Sequence, residues 1–246
     1  MIYYTVKIFE NQPGITAGVT RANRQMVNTD ERIPGLNFGE NTGITLEKVT
    51  SSIGILEKKI GTSSGHALAE QVHGNKVTFV NNGGYYPGYD GLITDQNNLL
   101  LGIKIADCAA LLISDPKTGL IAATHAGWRG AAGGIAEQTL EELSKRGADP
   151  EQLYIYMSPC ISVKNFEIGE EVASQFPDSF IDRSIGKKPH LDLKGFIRHT
   201  LMEYGVQSKR IEVDDRCTVE NTSFYSFRRE REQAGRMLAF IRQSKT

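Results

Sequence analysis

Cysteine, histidine and net charge are all scarce in this sequence. Its 246 residues include three cysteines, Cys108, Cys160 and Cys217. An odd, sparse set is no disulfide framework, and no C-x-x-C is present. Each cysteine has a plain reading as a buried small hydrophobe. The formal net charge is −1 and the sequence pI is near 6.5. Without a broad basic face, duplex nucleic acid is excluded as an expected partner. No apolar run approaches the roughly 18 residues of a membrane span. The opening "MIYYTVKIFE" lacks a basic region followed by an apolar one, so no signal peptide and no membrane partner are expected. The expectation is a soluble, cytoplasmic protein. No repeat, low-complexity tract or long linker breaks the chain, and 39% hydrophobic residues can build a sizeable core without staples.

The patterning present alternates strands with helices. "YYTVKIF", "ITAGVT", "HALAEQVHG", "KVTFVNN", "GLIT", "LLLGIKI", "CAALLIS", "GLIAATH", "LYIYMS", "IEVDD", "FYSF" and "MLAFIRQ" read as strands, and "GGYYPGYDG" reads as a loop. "TLEKVTSSIGILEKKIG" has helical spacing: Leu46, Val49, Ile53 and Leu56 share a face and Gly61 ends it. A long helix is expected from Gly130 to Arg146, with Ala132, Ile135, Ala136, Leu140 and Leu143 as its buried stripe and Gly147 as its stop. "EIGEEVASQF" and "LDLKGFIRHTLMEYG" complete the helices. Strands outnumber helices, and hairpins mix with crossovers. The expected fold is α+β, with mixed sheets and outer helices.

Three metal-capable side chains stand at strand boundaries. His73 closes one strand, Cys108 opens another and His125 closes a third. Spacings this long form no local metal motif, and each residue has a structural reading as a hydrogen-bonding or core group. Two imidazoles and a thiolate nevertheless suit Zn²⁺, and three protein ligands leave a fourth position for water or substrate. The stretch "HAGWRG" sets His125 beside Trp128, Arg129 and the start of the expected helix. A helix N-terminus and an Arg fork both suit an anion. Trp128 has two open roles, stacking on a planar ligand or packing in the core. The plainer alternative is that the glycines only pack helix on sheet and Arg129 caps a carbonyl.

The segments "EQVHGNKV", "ADCAALLISDPKTGLIAATHAGWRG", "FEIGEEV", "DDRCT" and "FYSFRRE…GRMLAFI" together resemble the laccase-domain (YfiH-like) family. That family is also known as multicopper polyphenol oxidases and purine nucleoside phosphorylases. The match runs in order from about residue 70 onward, while "GLNFGENTG" matches more loosely. The resemblance implies one laccase-like domain over residues 1–246, with an α/β/β/α-like layering. It implies a Zn²⁺ held by His73, Cys108 and His125; Cu²⁺ can occupy the same site, because copper outranks zinc in intrinsic affinity. The implied partners are phosphate and the purine nucleosides adenosine, inosine, guanosine and S-methyl-5′-thioadenosine. The implied reaction is phosphorolysis, with adenosine deamination as a further activity. Two family turns depart here: Ser158-Pro159-Cys160-Ile161-Ser162 replaces G-P-x-I-G, and Ile105-Ala106-Asp107-Cys108 replaces T-A-D-C. These leave the ligands intact but bear on pocket shape.

Phosphorolysis requires a phosphate grip and a way to move protons. Arg129, Arg228 and Arg229 are the candidates for the grip. If Arg228 and Arg229 lie in extended chain they face opposite ways, and one reaches the pocket. Asp107 and Glu167 are the candidates for proton transfer. Glu167 has a second reading, as a charge at the start of its helix. Two other chemistries compete. Multicopper oxidation of phenols needs a blue-copper centre and a His-rich three-copper cluster, which five histidines without an H-x-H pair do not fill. A Cys108–His125 hydrolase would suit an amidase editing peptidoglycan precursors. The deaminase signature H-x-E with P-C-x-x-C is absent, so deamination rests on the resemblance. A structural zinc or ligand-binding module is the non-enzymatic reading.

Overall fold

The computed structural model describes residues 2–25, 33–39, 46–61 and 65–244. The side chain of Leu46 and the "ENTG" part of the loosely matching segment lie outside the described residues.

Two six-stranded mixed sheets form the centre. The first runs β1 (Tyr3–Thr5), β2 (Ile15–Thr20), β14 (Met237–Gln243), β7 (Leu100–Ile105), β3 (His66–Ala69), β5 (Gly84–Tyr86). The pairs β7–β3 and β3–β5 are parallel, and the others are antiparallel. The second runs β13 (Ile211–Val213), β10 (Tyr154–Met157), β8 (Ala109–Asp115), β9 (Leu120–Ala126), β6 (Gly91–Thr94), β4 (Val77–Phe79). Its outer pairs β13–β10 and β6–β4 are parallel. A short pair, β11 (Ile181–Asp182) with β12 (His190–Leu191), stands apart.

The side-chain alternation of the strands explains the layering. In β8, Ala110 and Leu112 face the first sheet, where they join Leu101, Ile103, Ala239 and Ile241. Ala109, Leu111 and Ile113 face the other way, onto helices α3 (Ile135–Ser144) and α5 (Leu193–Glu203). A strand buried on both faces must be apolar at every position, hence the unbroken run "AALLI". Each such buried Leu or Ile contributes about 1.5–3 kcal/mol relative to exposure. The far face of the first sheet packs Leu100, Leu238 and Phe240 against Val49, Ile53 and Leu56 of α1 (Leu46–Ile60). The order helix, sheet, sheet, helix is the layered α+β arrangement expected from the sequence.

Several elements differ from the sequence reading. The helix expected from Gly130 to Arg146 is two pieces, α2 (Trp128–Ala132) and α3. Gly133 and Gly134 separate them, and Gly134 takes φ +81°, which breaks the helical path. The strand expected to reach His73 stops at Ala69, because Gln71 and His73 adopt φ +69° and +61°. Part of the "GGYYPGYDG" loop is strand β5, whose Tyr85 and Tyr86 pair with Leu68 and Ala69. "EIGEEVASQF" shrinks to one turn, α4 (Glu170–Ala173). "FYSF" is not a strand: Ser226 caps α6 (Phe227–Glu230), its side chain accepting from the Arg229 N–H. "YYTVKIF" extends only through Thr5 before a 3₁₀ turn at Lys7–Phe9. Among the described residues no helix is long and apolar enough to cross a membrane.

Candidate metal centre

The sheet of β8 and β9 brings two of the three ligand candidates together. Cys108 immediately precedes β8, and His125 lies in β9 opposite Ala110. His73 comes from the turn after β3. The donor atoms of His73, Cys108 and His125 all lie within 4.8 Å of one another. The two imidazoles meet edge to face, with centroids 4.8 Å apart. Among the described residues this is the one group of three or more His, Cys, Asp or Glu side chains placed to hold a metal. Burial ranges from exposed His73 through half-buried Cys108 to buried His125, so the centre opens to solvent on one side.

Asp90 orders this cluster. It is fully buried, and its Oδ1 accepts from the His125 Nδ1–H at 2.8 Å and from the His73 N–H at 2.9 Å. Its Oδ2 accepts from the Gly74 N–H at 2.8 Å. Burial pushes the Cys108 thiol up, but the charge and hydrogen bonds of His125 and His73 outweigh it and bring the thiol down to about 6. For His125 burial works downward, while the Cys108 thiolate and Asp90 raise it to about 9. Thiolate is therefore the favoured form of Cys108, the form a metal or an electrophile requires.

The donor set fits a metal ion. Two imidazoles and a thiolate suit Zn²⁺, and they also bind copper. Gly127 supplies the room: a Cβ there would lie 2.9 Å from Cys108 Sγ, 3.4 Å from His73 Cδ2 and 3.7 Å from His125 Cε1. Four-copper chemistry does not fit, because the remaining histidines are elsewhere. His66 pairs with Glu57, His190 donates to the Val163 carbonyl, and His199 packs on Phe180.

A cavity of about 390 Å³ opens over the cluster. Trp128 and Arg129 form one wall, the Arg129 guanidinium stacked 4.3 Å from the Trp128 ring centroid. Arg228 forms another, its guanidinium donating to the Glu167 carbonyl at 3.0 Å. Arg229 points away, donating to the Thr218, Val219 and Phe224 carbonyls and pairing with Glu230. One of the two arginines thus reaches the cavity, but helical spacing on α6 separates them rather than an extended chain. The long helix N-terminus expected behind Arg129 is only the five-residue α2, so its dipole is small and the guanidiniums carry the anion-binding capacity.

The two proton-transfer candidates stand in different places relative to the cavity. Glu167 lies outside the cavity wall, and its carboxylate pairs with Lys188 at 3.1 Å. It is also three residues ahead of α4, so it serves no helix start. Asp107 does line the cavity, yet both its oxygens are engaged. Oδ1 accepts from the Thr218 hydroxyl and Oδ2 from the Arg228 N–H, each at 2.6 Å. Asp107 takes φ +87° and anchors α6 to the Cys108 turn.

Sequence reasoning missed Asp90, Gln71 and Phe227. Asp90 and its Gly91 read as turn punctuation. Gln71 clamps the Lys104 backbone through both ends of its amide, at 2.7 and 2.8 Å. Phe227 is 40% exposed at the cavity wall, with the Arg236 guanidinium 5.7 Å from its ring centroid. An exposed aromatic beside a cavity is visible only once the fold is known. Cys160 and Cys217 are buried, as expected of small hydrophobes, and burial pushes the Cys160 thiol up to about 12.

Fold and site together define a two-sheet α+β protein with a solvent-facing His-Cys-His centre under an arginine-lined cavity. The chain belongs to the family described as multi-copper polyphenol oxidoreductase laccase, whose model matches residues 18–244. A purine nucleoside phosphorylase of Deinococcus radiodurans is 39% identical over 178 residues, covering 71% of this chain and 69% of its own. Adenosine deaminase RL5, from an unknown prokaryotic organism, is 34% identical over 162 residues, covering 63% of this chain and 62% of its own. The crystal structure of YlmD from Geobacillus stearothermophilus superposes with a TM-score of 0.90 at 28% identity, covering 100% of this chain and 97% of that one. The relatives named as enzymes place this chain in an enzyme family.

Proposed function

We propose that this chain is a zinc-dependent purine nucleoside phosphorylase. Its substrates are adenosine, inosine, guanosine and S-methyl-5′-thioadenosine, and it deaminates adenosine as a second activity. The observation that carries the reading is one shared cavity. His73, Cys108 and His125 open into the same 390 Å³ space as Arg129, Arg228 and the aromatic faces of Trp128 and Phe227. Relatives named purine nucleoside phosphorylase and adenosine deaminase support it.

In phosphorolysis a phosphate oxygen bonds to the anomeric carbon as the glycosidic C–N bond breaks. The electron pair leaves on the purine, so positive charge grows on the ribose and negative charge on the base. Arg129 and Arg228 hold the phosphate mono- or dianion against the ribose, where charge-assisted hydrogen bonds are strongest. Trp128 and Phe227 hold the flat base. Asp107 fixes the backbone of Arg228 and so the direction from which the phosphate is held. A bound zinc ion would supply Lewis acidity toward the substrate beside Cys108. Asp90 keeps the lone pair of His125 Nε2 turned away from itself by accepting a hydrogen bond from the Nδ1–H.

A second reading has one observation in its favour. Asp90, His125 and Cys108 form a carboxylate–imidazole–thiolate series, the arrangement of a cysteine hydrolase. Metal content separates the two, since a metal-bound thiolate is a poor free nucleophile. The test uses protein loaded separately with zinc and copper, beside His73→Ala and Cys108→Ala. Zinc-loaded wild type should release free base from purine nucleosides, and both variants should lose zinc and activity together. Metal-free protein with full hydrolytic activity, or rapid phenol oxidation by copper-loaded protein without any base release, would overturn the proposal.

A further inference from the structure

We infer that Asp90 is the positioning residue of the metal centre, a single carboxylate that sets both histidines for one ion. The inference rests on the metal reading of His73, Cys108 and His125 proposed above.

Asp90 bonds neither to its own turn nor to a lysine or arginine. It has no surface exposure, and every side-chain bond it makes goes to a ligand or to the residue beside one. His125 gives its ring N–H, His73 its backbone N–H and Gly74 its backbone N–H. The main chain of Asp90 adds a fourth tie, its carbonyl accepting from the His125 N–H at 2.7 Å. Among the described residues its one ion-pair partner is His125 itself. Burying an ionised carboxylate without a lysine or arginine is costly, and donors of this kind offset the cost.

Each bond has a separate consequence. The bond to His125 Nδ1 fixes the tautomer and the ring plane, leaving Nε2 to face Cys108 and His73. The bonds to His73 and Gly74 hold a turn that the chain would not adopt unaided. Gln71 and His73 sit at φ +69° and +61°, a region costly for residues with a side chain. That turn is what carries the His73 ring beyond the end of β3 to within 4.8 Å of the other donors.

Asp90→Asn tests this, because it keeps the shape and presents an NH₂ where N–H donors now point. Zinc affinity is measured by competition with a chromophoric chelator, for wild type and variant, alongside the melting curve of each metal-free protein. The expected result is a folded variant whose zinc affinity falls about 10- to 100-fold. A variant that folds and binds zinc within twofold of wild type overturns the inference alone. Wild type that binds no zinc overturns the metal reading and this inference with it. A second measurement needs no variant: ¹⁵N NMR of zinc-loaded wild type should find His125 protonated at Nδ1. Protonation at Nε2 instead would overturn the inference even if Asp90→Asn failed to fold.

Discussion

Gly127 and Cys108 stand so close that a single methyl group on Gly127 would press on the thiol, 2.9 Å from Sγ. The backbone at Gly127, φ −77° and ψ 172°, is open to any residue, so the glycine is required by the space beside Cys108 and not by its own conformation. Gly127→Ala should therefore fold with a melting temperature within a few degrees of wild type and lose at least about 10-fold in zinc affinity, the scale of a disturbed ligand shell. Zinc per chain after dialysis against a chelator checks this. Full zinc retention would place the ion elsewhere.

The arginines should separate by where their guanidiniums point. Removing a charge-assisted hydrogen bond costs about 1.5–3 kcal/mol, or roughly 10- to 100-fold. Arg129→Ala or Arg228→Ala should raise the phosphate KM on that scale. Arg229→Ala should leave the phosphate KM unchanged and lower the melting temperature, because its guanidinium serves the Thr218, Val219 and Phe224 carbonyls. Steady-state kinetics at varied phosphate decide it. Wild-type phosphate dependence in both cavity variants would move the anion site away from this wall.

Phe227 is apolar, 40% exposed and part of the cavity wall. A base stacked on an aromatic side chain gains about 1–3 kcal/mol. Phe227→Ala should raise the nucleoside KM by about 10-fold and leave both the phosphate KM and the zinc content alone. An unchanged nucleoside KM would assign the base to Trp128.

How much of this could be read from the sequence depended on burial and on locality. The central strands were legible because "AALLI" and "MLAFI" are buried on both faces and show as continuous apolar runs. The three ligand candidates were legible as residue types at element boundaries. Asp90 was not, since its three partners come from the His73 turn and from β9, and nothing local marks them. The break at Gly133 and Gly134 was hidden because apolar spacing continues across it from Ala132 to Ile135. The helix-start reading of Glu167 failed because α4 is only four residues long and begins at Glu170. β5 was obscured by the glycines and Pro87 around Tyr85 and Tyr86, and only its pairing with β3 makes it a strand.

Stability should depend on pH through Asp214. Burial pushes its carboxyl up, but hydrogen bonds from Arg216 and Tyr156 outweigh this and hold it below the ordinary aspartate range. A folded value below the unfolded one adds stability that is fully present above the unfolded value, about 3.9, and is lost as pH falls through the folded value. Asp214→Asn should cost on the order of 1–3 kcal/mol at pH 7, the scale of a hydrogen bond to a charged group. The deficit should shrink steadily below about pH 4. Urea unfolding of both proteins across that range measures it. A constant deficit would show that the ionised form of Asp214 contributes nothing.

The most direct measurement of the account is product analysis with phosphate present and absent. Zinc-loaded protein is incubated with inosine, and hypoxanthine and ribose 1-phosphate are quantified by chromatography. The account predicts equimolar hypoxanthine and ribose 1-phosphate with phosphate, and neither without it. Free ribose formed independently of phosphate, or no hypoxanthine from zinc-loaded wild type under either condition, would contradict it.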